Sequence, residues 1–473
     1  MATIAGALER VKHELGRYLP SPTIIQACID AGHRWRKRKF DPVTTIQLFV
    51  LQILCCNTAI THLRHLAGFA INAAAYCKAR MRLPLTVLQR LLEHSAAAMA
   101  QAAGCSQRPA WWCGLRVYLV DASSSIAPDT PDVRKRFRQP KNQKKGCGFP
   151  VPKLLGLFEA YSGLIVRVLF FTLYTHDLRG AMQLHPLLGP GDLLVGDRAF
   201  CSYAHLALLW MRQVAGLFRM HQRRKVDFRR SHRAKKGGFG WRRIRRLGPC
   251  DHLVQWSKPA DGYRPAWLSQ RAYASLPPTL LVRELRYTIA AKGQRTRCVT
   301  IVTTLLDPLR YPREKIAQLY ALRWTVETHF AQLKTQLKMR RIKCQTADGV
   351  QKEMAIYCLV YNLLRMIMLE AARRQKVPPD RISFIDALRW LLCSAPGQEL
   401  PDLIINPRRE GRHQPRVIKD LQDTYMKMTV PRRKMKQNPA RWGGRPKELS
   451  QNAASRCRRR NHNRPQASWM TPR

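Results

Sequence analysis

Three acidic residues sit where carboxylates could do chemistry. Asp121 closes the apolar run LRVYLV at 115–120, Asp197 closes DLLVG at 192–196, and Glu327 falls in the middle of a long helical stretch. Carboxylate oxygens suit hard divalent cations such as Mg²⁺. Three of them meeting in space could hold a pair of ions that activates a nucleophile and stabilises a leaving oxygen. Singly, each acid has a plainer use. An Asp after a strand most often serves a turn, and Asp129, Asp192 and Asp307 would do so equally well. A mid-helix Glu most often pairs with an exposed cation. Glu327 is set apart by its company: Tyr320, Arg323 and Lys334 in LYALRWTVETHFAQLK. On one ideal helix over 312–339 these four share an arc of about 60° and span about 21 Å. Trp324, Phe330 and Leu333 would then supply the buried side.

These residues must be held by particular elements. Residues 115–120, 192–196, 215–220, 280–289 and 298–305 read as strands, and 199–214 as a helix. Segments 153–160 and 164–173 flank Tyr161-Ser162-Gly163 as a hairpin. A second long apolar helix covers 350–374. Upstream, Leu8, Val11, Leu15 and Leu19 fall at helical spacing, as do Ile46, Phe49, Val50 and Ile53, and Leu83, Val87, Leu88 and Leu91. The order strand, hairpin, strand, insertion, helix fits an α/β ribonuclease-H-like mixed-sheet core with a β-rich insertion and an N-terminal helical domain. The expected divisions are 1–110 helical, 111–220 the first part of the core, and 221–279 a basic β-rich insertion. The second part of the core, with the Glu-bearing helix, would span 280–400, and a basic, largely disordered tail 401–473.

Charge narrows the partner. The 473 residues carry 83 Lys and Arg against 30 Asp and Glu, a net +53, with 45% hydrophobic residues. That is too much core for wholesale disorder, and the charge points to a polyanion. Arg36, Lys37 and Arg38 follow Trp35 in a run of five cations from Arg34 to Lys39; as a segment it serves equally as a solvated face. Residues 223–246 hold 12 cations and one acid, with Phe239 and Trp241 interleaved and Arg242 and Arg243 adjoining. Beyond 405 the chain is net +15. Such segments can grip phosphates. The 14 cysteines include no C-x2-C pair, which argues against zinc ribbons and fingers and for free thiols in a reducing cytoplasm. His62 and His65 belong to no H-E-x-x-H and read as ordinary residues. The apolar run 44–60 is broken by Gln47, Gln52 and Asn57 and the N-terminus lacks an apolar signal core, so no membrane partner is expected.

The string Y-x2-R-x3-E-x6-K, the Asp in VGDRAFCSY and the earlier strand-end Asp together resemble the DDE transposases of bacterial insertion sequences, in particular insertion-sequence family four. TTLLDP…YP at 303–312 and DGVQKEMAIYCLVYNLLR after the helix are similar to the same family, over about residues 20–430. Ala122-Ser123-Ser124-Ser125 departs from it, since relatives usually show Gly then Thr or Ser after the first acid. The resemblance implies Asp121, Asp197 and Glu327 as catalytic ligands of Mg²⁺, with Mn²⁺ substituting. It implies Tyr320, Arg323 and Lys334 as DNA contacts near the cleavage point. The implied partner is double-stranded DNA, both the element's terminal inverted repeats and target DNA, bound by a homodimer that joins the nucleoid. Trp241, Trp256 and Trp267 are candidates to hold a flipped base, and each serves equally as a packing residue. Two rivals keep the charge and change the outcome: a metal-dependent nuclease or resolvase without strand transfer, and an inactive DNA-binding derivative. An RNA-binding protein would leave the four-residue signature unexplained.

Overall fold

The computed structural model describes residues 7–36, 38–102, 112–140, 148–222, 224, 226–230, 232–233, 240–289 and 297–407. The chain divides into two compact units, 1–140 with 149–418, and 141–148 with 419–473. All described residues except Gly148 belong to the first.

Its centre is a sheet of ten strands: β1 (Arg116–Ser124), β2 (Pro152–Glu159), β3 (Ile165–Thr172), β4 (Asp192–Gly196), β5 (Ala215–Arg219), β6 (His232–Arg233), β7 (Trp241–Gly248), β8 (Asp251–Ser257), β9 (Thr279–Ile289) and β10 (Arg297–Thr303). They lie in the order β3-β2-β1-β4-β5-β10-β9-β8-β7-β6. β1, β4 and β5 are parallel, while β2 and β3 form an antiparallel hairpin beside β1. This five-strand order is that of a ribonuclease-H-like core. Successive side chains on a strand point to opposite faces. Val117 and Leu119 therefore enter one hydrophobic core and Tyr118 and Val120 another. With both faces covered, β4 is buried along its whole length and reads as the near-continuous apolar run expected of a central parallel strand.

The segment between Asp197 and Glu327 extends this same sheet. β10 joins β5 antiparallel through Ile301–Thr303, and β9, β8, β7 and β6 follow outward. Buried Arg283 fastens the extension: its Nε donates to Asp251 Oδ1 at 2.8 Å and its Nη1 to the Tyr311 carbonyl at 2.7 Å. Trp256 donates to Glu284 at 2.8 Å under the Arg224 guanidinium, and Trp241 is buried beside it, so both pack the second core. Trp267 is half-buried.

Helices cover the first face. The helical spacings read near the N-terminus correspond to buried residues, Leu8, Val11, Leu15 and Leu19 in front and Val87, Leu88 and Leu91 behind. Asp41 caps Pro42–Leu54 by accepting from Thr44 N at 2.7 Å. Helix Ala347–Arg374 is long and apolar enough to cross a membrane, yet it lies inside the protein with 94% of its most apolar stretch buried. It also holds the β2–β3 hairpin. Arg365 donates to the Ser162 carbonyl at 3.0 and 2.6 Å, and Tyr361 to that of Gly163 at 3.0 Å. Gly163 turns at φ +69, where a Cβ would stand 2.7 Å from the Arg365 guanidinium. Two expected helices differ. The one read at 199–214 is a 3₁₀ turn, Arg198–Phe200, followed by Tyr203–Met211. The one read at 312–339 is broken, as described below.

The second core contains two stacked imidazoles, His185 and His205, with ring centroids 5.0 Å apart. Nδ1 of His205 donates to the Phe200 carbonyl at 2.7 Å. Burial holds His185 down to about 3 and His205 to about 4, against 6.5 for a free imidazole. Between about pH 6.5 and 4 the unfolded chain therefore binds more protons than the folded one, and stability falls as pH falls. Each imidazole should cost about 2 kcal/mol on going from pH 7 to pH 5. Urea unfolding across this range should show the acid limb flattened in His185→Phe, and an unchanged limb would refute the assignment.

Candidate active site

Parallel pairing brings the two aspartates together. Val120 lies opposite Gly196 in the β1–β4 register, so the next residue on each strand, Asp121 and Asp197, stand side by side. Neighbouring strands are about 4.8 Å apart. Gly196 is needed for this closeness: a Cβ there would sit 2.9 Å from the Phe200 ring and 3.1 Å from Val120. Asp197 caps the 3₁₀ turn that follows, accepting from Ala199 N at 2.7 Å. Asp121 does not end its strand, which runs on to Ser124. Pointing to the same face as Leu119, it meets the Glu-bearing helix. Burial lifts the Asp121 carboxyl to about 6; the Ala122 amide and Arg323 oppose the rise, and Asp197 adds to it. Ala122 has no positive φ, so alanine is unstrained at that place.

The helix itself is irregular. It runs as α-helix over Arg313–Ala321, 3₁₀ over Leu322–Trp324, α over Thr325–Ala331 and π over Gln332–Gln336. An ideal wheel therefore misplaces the signature. Tyr320 is 3% exposed and Arg323 7%, whereas the Glu327 side chain is 52% exposed, so the four do not share one open face. Trp324, expected inside, is 44% exposed, while Phe330 and Leu333 are buried as expected. What the breaks achieve is reach. Arg323 sits between two candidate acids: Nη1 is 3.8 Å from Asp121 Oδ2, and Nη2 donates to Glu327 Oε1 at 3.1 Å. Its guanidinium also lies 4.4 Å from the Trp324 ring centroid. Lys334, from the π turn, donates to Ser123 Oγ at 3.3 Å, two residues beyond Asp121. Burial lowers the Lys334 ammonium, and Arg340 lowers it further. Burial raises the Tyr320 phenol; its hydroxyl has no hydrogen-bond partner among the described residues, and Asp197 is close enough to act on it.

The donor set suits a hard cation in kind, since it is all carboxylate oxygen. As placed, no three His, Cys, Asp or Glu side chains among the described residues could enclose an ion. Arg323 already supplies positive charge between Asp121 and Glu327. A cation there would need Glu327, exposed and on a long side chain, to leave that guanidinium.

The remaining candidates lie elsewhere. Arg36 and Arg38 are exposed and line a cavity of about 440 Å³ with Arg34, Arg82 and the stacked His33–Trp35 pair. Lys37 and the tail beyond 407 lie outside the described residues. Arg242 is exposed on β7, while Arg243 donates to the Phe228 carbonyl at 3.2 Å and so has a structural task. Two features escaped the sequence reading. Ser123 as the Lys334 partner had no signal beyond its nearness to Asp121. A cavity of about 380 Å³ lined by Arg198, Arg219, Arg224 and Arg286 adjoins Asp197, drawing on strands far apart in sequence.

A sheet in this order, carrying aspartates on two adjacent parallel strands and a glutamate on the covering helix, defines the DDE class of ribonuclease-H-like proteins. Residues 112–363 match the family described as Transposase DDE domain, and the chain belongs to that family. It is 26% identical over 370 residues to the transposase InsG of insertion sequence element IS4 from Escherichia coli (strain K12), covering 74% of this chain and 77% of that one. Among solved structures it is similar to the piggyBac transposase in a synaptic complex with hairpin DNA. There the TM-score is 0.41 and the identity 8%, over 83% of this chain and 80% of that one. The family places the chain among the DDE transposases, enzymes that depend on a divalent metal.

Replacing Arg323 by alanine should leave Asp121 beside Asp197 without its nearest buried counter-charge. In chelator-containing buffer the loss should be roughly 1–3 kcal/mol in urea unfolding. Arg323→Lys should recover only part of it, because a point charge cannot span both acids. Wild-type stability in the alanine variant would show the bridge to be idle.

Proposed function

We propose that this transposase cuts the ends of an insertion sequence and joins the freed 3′-hydroxyl to target DNA by phosphoryl transfer, with Asp121, Asp197 and Glu327 as its catalytic acids. The observation that carries this reading is the pair of aspartates set side by side by the β1–β4 register, with Glu327 linked to Asp121 through one guanidinium. These acids would hold Mg²⁺, or Mn²⁺ in its place, and the metal would supply charge neutralisation and a more acidic water. Water attacks the phosphorus at the element end and the 3′ oxygen leaves. That 3′-hydroxyl then attacks a target phosphodiester, displacing another 3′ oxygen. No side-chain nucleophile is required, so the protein's task is positioning and electrostatics.

In this reading Arg323 and Lys334 turn from Asp121, Glu327 and Ser123 towards the phosphates next to the scissile bond, and the unpartnered Tyr320 hydroxyl donates to one of them. Arg36, Lys37, Arg38 and Arg242 grip backbone further out, and the N-terminal helices read the terminal repeats. Arg243 contributes through its hold on Phe228. Two ends must be brought together, so the working form is a homodimer on double-stranded DNA, in the cytoplasm and on the nucleoid.

The test uses labelled element ends and a target plasmid with Mg²⁺ or Mn²⁺. Asp197→Asn and Glu327→Gln should each lower cleavage by at least about 10²–10³-fold, the scale of losing one charge-stabilising group. DNA affinity in the absence of metal should stay within about threefold. Label joined to the plasmid is the expected product of the wild type. Cut ends that never join would favour a nuclease, and intact ends with either metal would leave a DNA-binding derivative.

A further inference from the structure

A third cationic cavity opens at the same end of the sheet as the aspartates, on the β3 side. It has a volume of about 530 Å³ and is lined by Lys135, Arg136, Arg138, Arg179, Tyr174 and Trp267, among others. Its place follows from strand register. Ser124, at the end of β1, pairs with Lys153 of β2, and the adjoining Pro152 pairs with Thr172 of β3, which lines the cavity. Two strand spacings, roughly 10 Å, separate β1 from β3. Helix Asp177–Ala181, which bears Arg179, is close enough that Asp177 acts on the Asp121 carboxyl. Lys334, bound to Ser123, lies at this flank of the acids.

Two independent observations indicate what the cavity is for. The first is uncompensated charge. No carboxylate is among its described lining residues, and Asp177, the nearest acid in sequence, is paired with Lys153. Among the described residues Lys135, Arg136, Arg138 and Arg179 make no ion pair with any acid. The second is backbone strain. Arg138 ends helix Pro131–Phe137 at φ +61, ψ 164, a region that essentially only glycine visits without cost. Glycine would take this conformation without strain, so a side chain is held here at a cost, and the one held is a cation that lines the cavity.

We propose that this cavity is a seat for a DNA backbone, gripped through phosphates by Lys135, Arg136, Arg138 and Arg179, separate from the signature residues and continuing past Lys334. The proposal rests on the transposase reading for the origin of the DNA, either donor sequence flanking the cut or target, but its binding chemistry does not depend on catalysis.

The experiment uses the full chain and two variants, Arg138→Gly and Arg138→Gly/Arg179→Ala. Glycine relieves the strained φ, so Arg138→Gly should melt at or above the wild-type temperature, which separates a binding defect from misfolding. Binding is measured with chelator present, against salt, on two duplexes: an element end with its flank, and a random-sequence target. Each lost phosphate contact makes the plot of log K against log salt shallower by roughly 0.9. The double variant should lose about 2 on the duplex that occupies the cavity, and Arg138→Gly about 1. Loss on the flanked end alone, with intact ends no longer cut, assigns donor DNA. Loss on the random duplex alone, with pre-cut ends no longer joined to plasmid, assigns target DNA. Unchanged slopes on both duplexes would overturn the proposal. That result is distinct from failure of the proposed function, which reads as wild-type protein that leaves ends uncut.

Discussion

Two carboxylates on neighbouring parallel strands, both partly shut off from water, must either take up a proton or be met by nearby positive charge. The register that sets Asp197 beside Asp121 also adds to the free energy of ionising Asp121. In the protein alone that charge is Arg323, drawn in until its guanidinium touches Asp121 and Glu327. Much of the surrounding architecture follows from this need. The helix bearing Arg323 tightens to 3₁₀ at that residue, and Gly196 keeps β4 close enough to β1 for the acids to adjoin. In the proposed reaction a metal would take over this charge from the arginine, which would then be free for phosphate.

Strands and hairpin were legible because their signals are local. Apolar runs such as LRVYLV and DLLVG end at polar residues, and Tyr161-Ser162-Gly163 marks its turn through a glycine that must take positive φ. The buried faces of the N-terminal helices were legible for a similar reason, since Leu8, Val11, Leu15 and Leu19 repeat at the helical period. Asp121 and Asp197 stood out through the apolar runs they follow, although β1 runs on past Asp121 to Ser124, and their adjacency came from the expected strand order.

The breaks in the helix from Arg313 to Gln336 were not legible. Nothing in LRWTVETHFAQLKTQ is a breaker: it holds neither proline nor glycine, and its residues tolerate an ordinary helix. The distorted turns carry Arg323 to Asp121 and Lys334 to Ser123, partners that no local window contains. The exposure of Trp324 and the burial of Tyr320 follow from the same cause. The extension of the sheet through β10 and β9 is likewise a long-range pairing, and the basic composition of 223–246 gave no sign that its strands would continue the core sheet.

The buried helix Ala347–Arg374 has a consequence for how the chain is made. A stretch this apolar, exposed for long, would invite aggregation or capture by a bilayer. Yet most of the surfaces that cover it, among them helices Pro42–Leu54 and Leu85–Ala102 and strand β3, precede it in the sequence, and only Pro379–Arg381 and helix Phe384–Cys393 follow among the main described contacts. Synthesis proceeds from the N-terminus, so these surfaces have left the ribosome before the apolar stretch emerges. The order of translation thus supplies most of the shelter that this segment lacks in isolation.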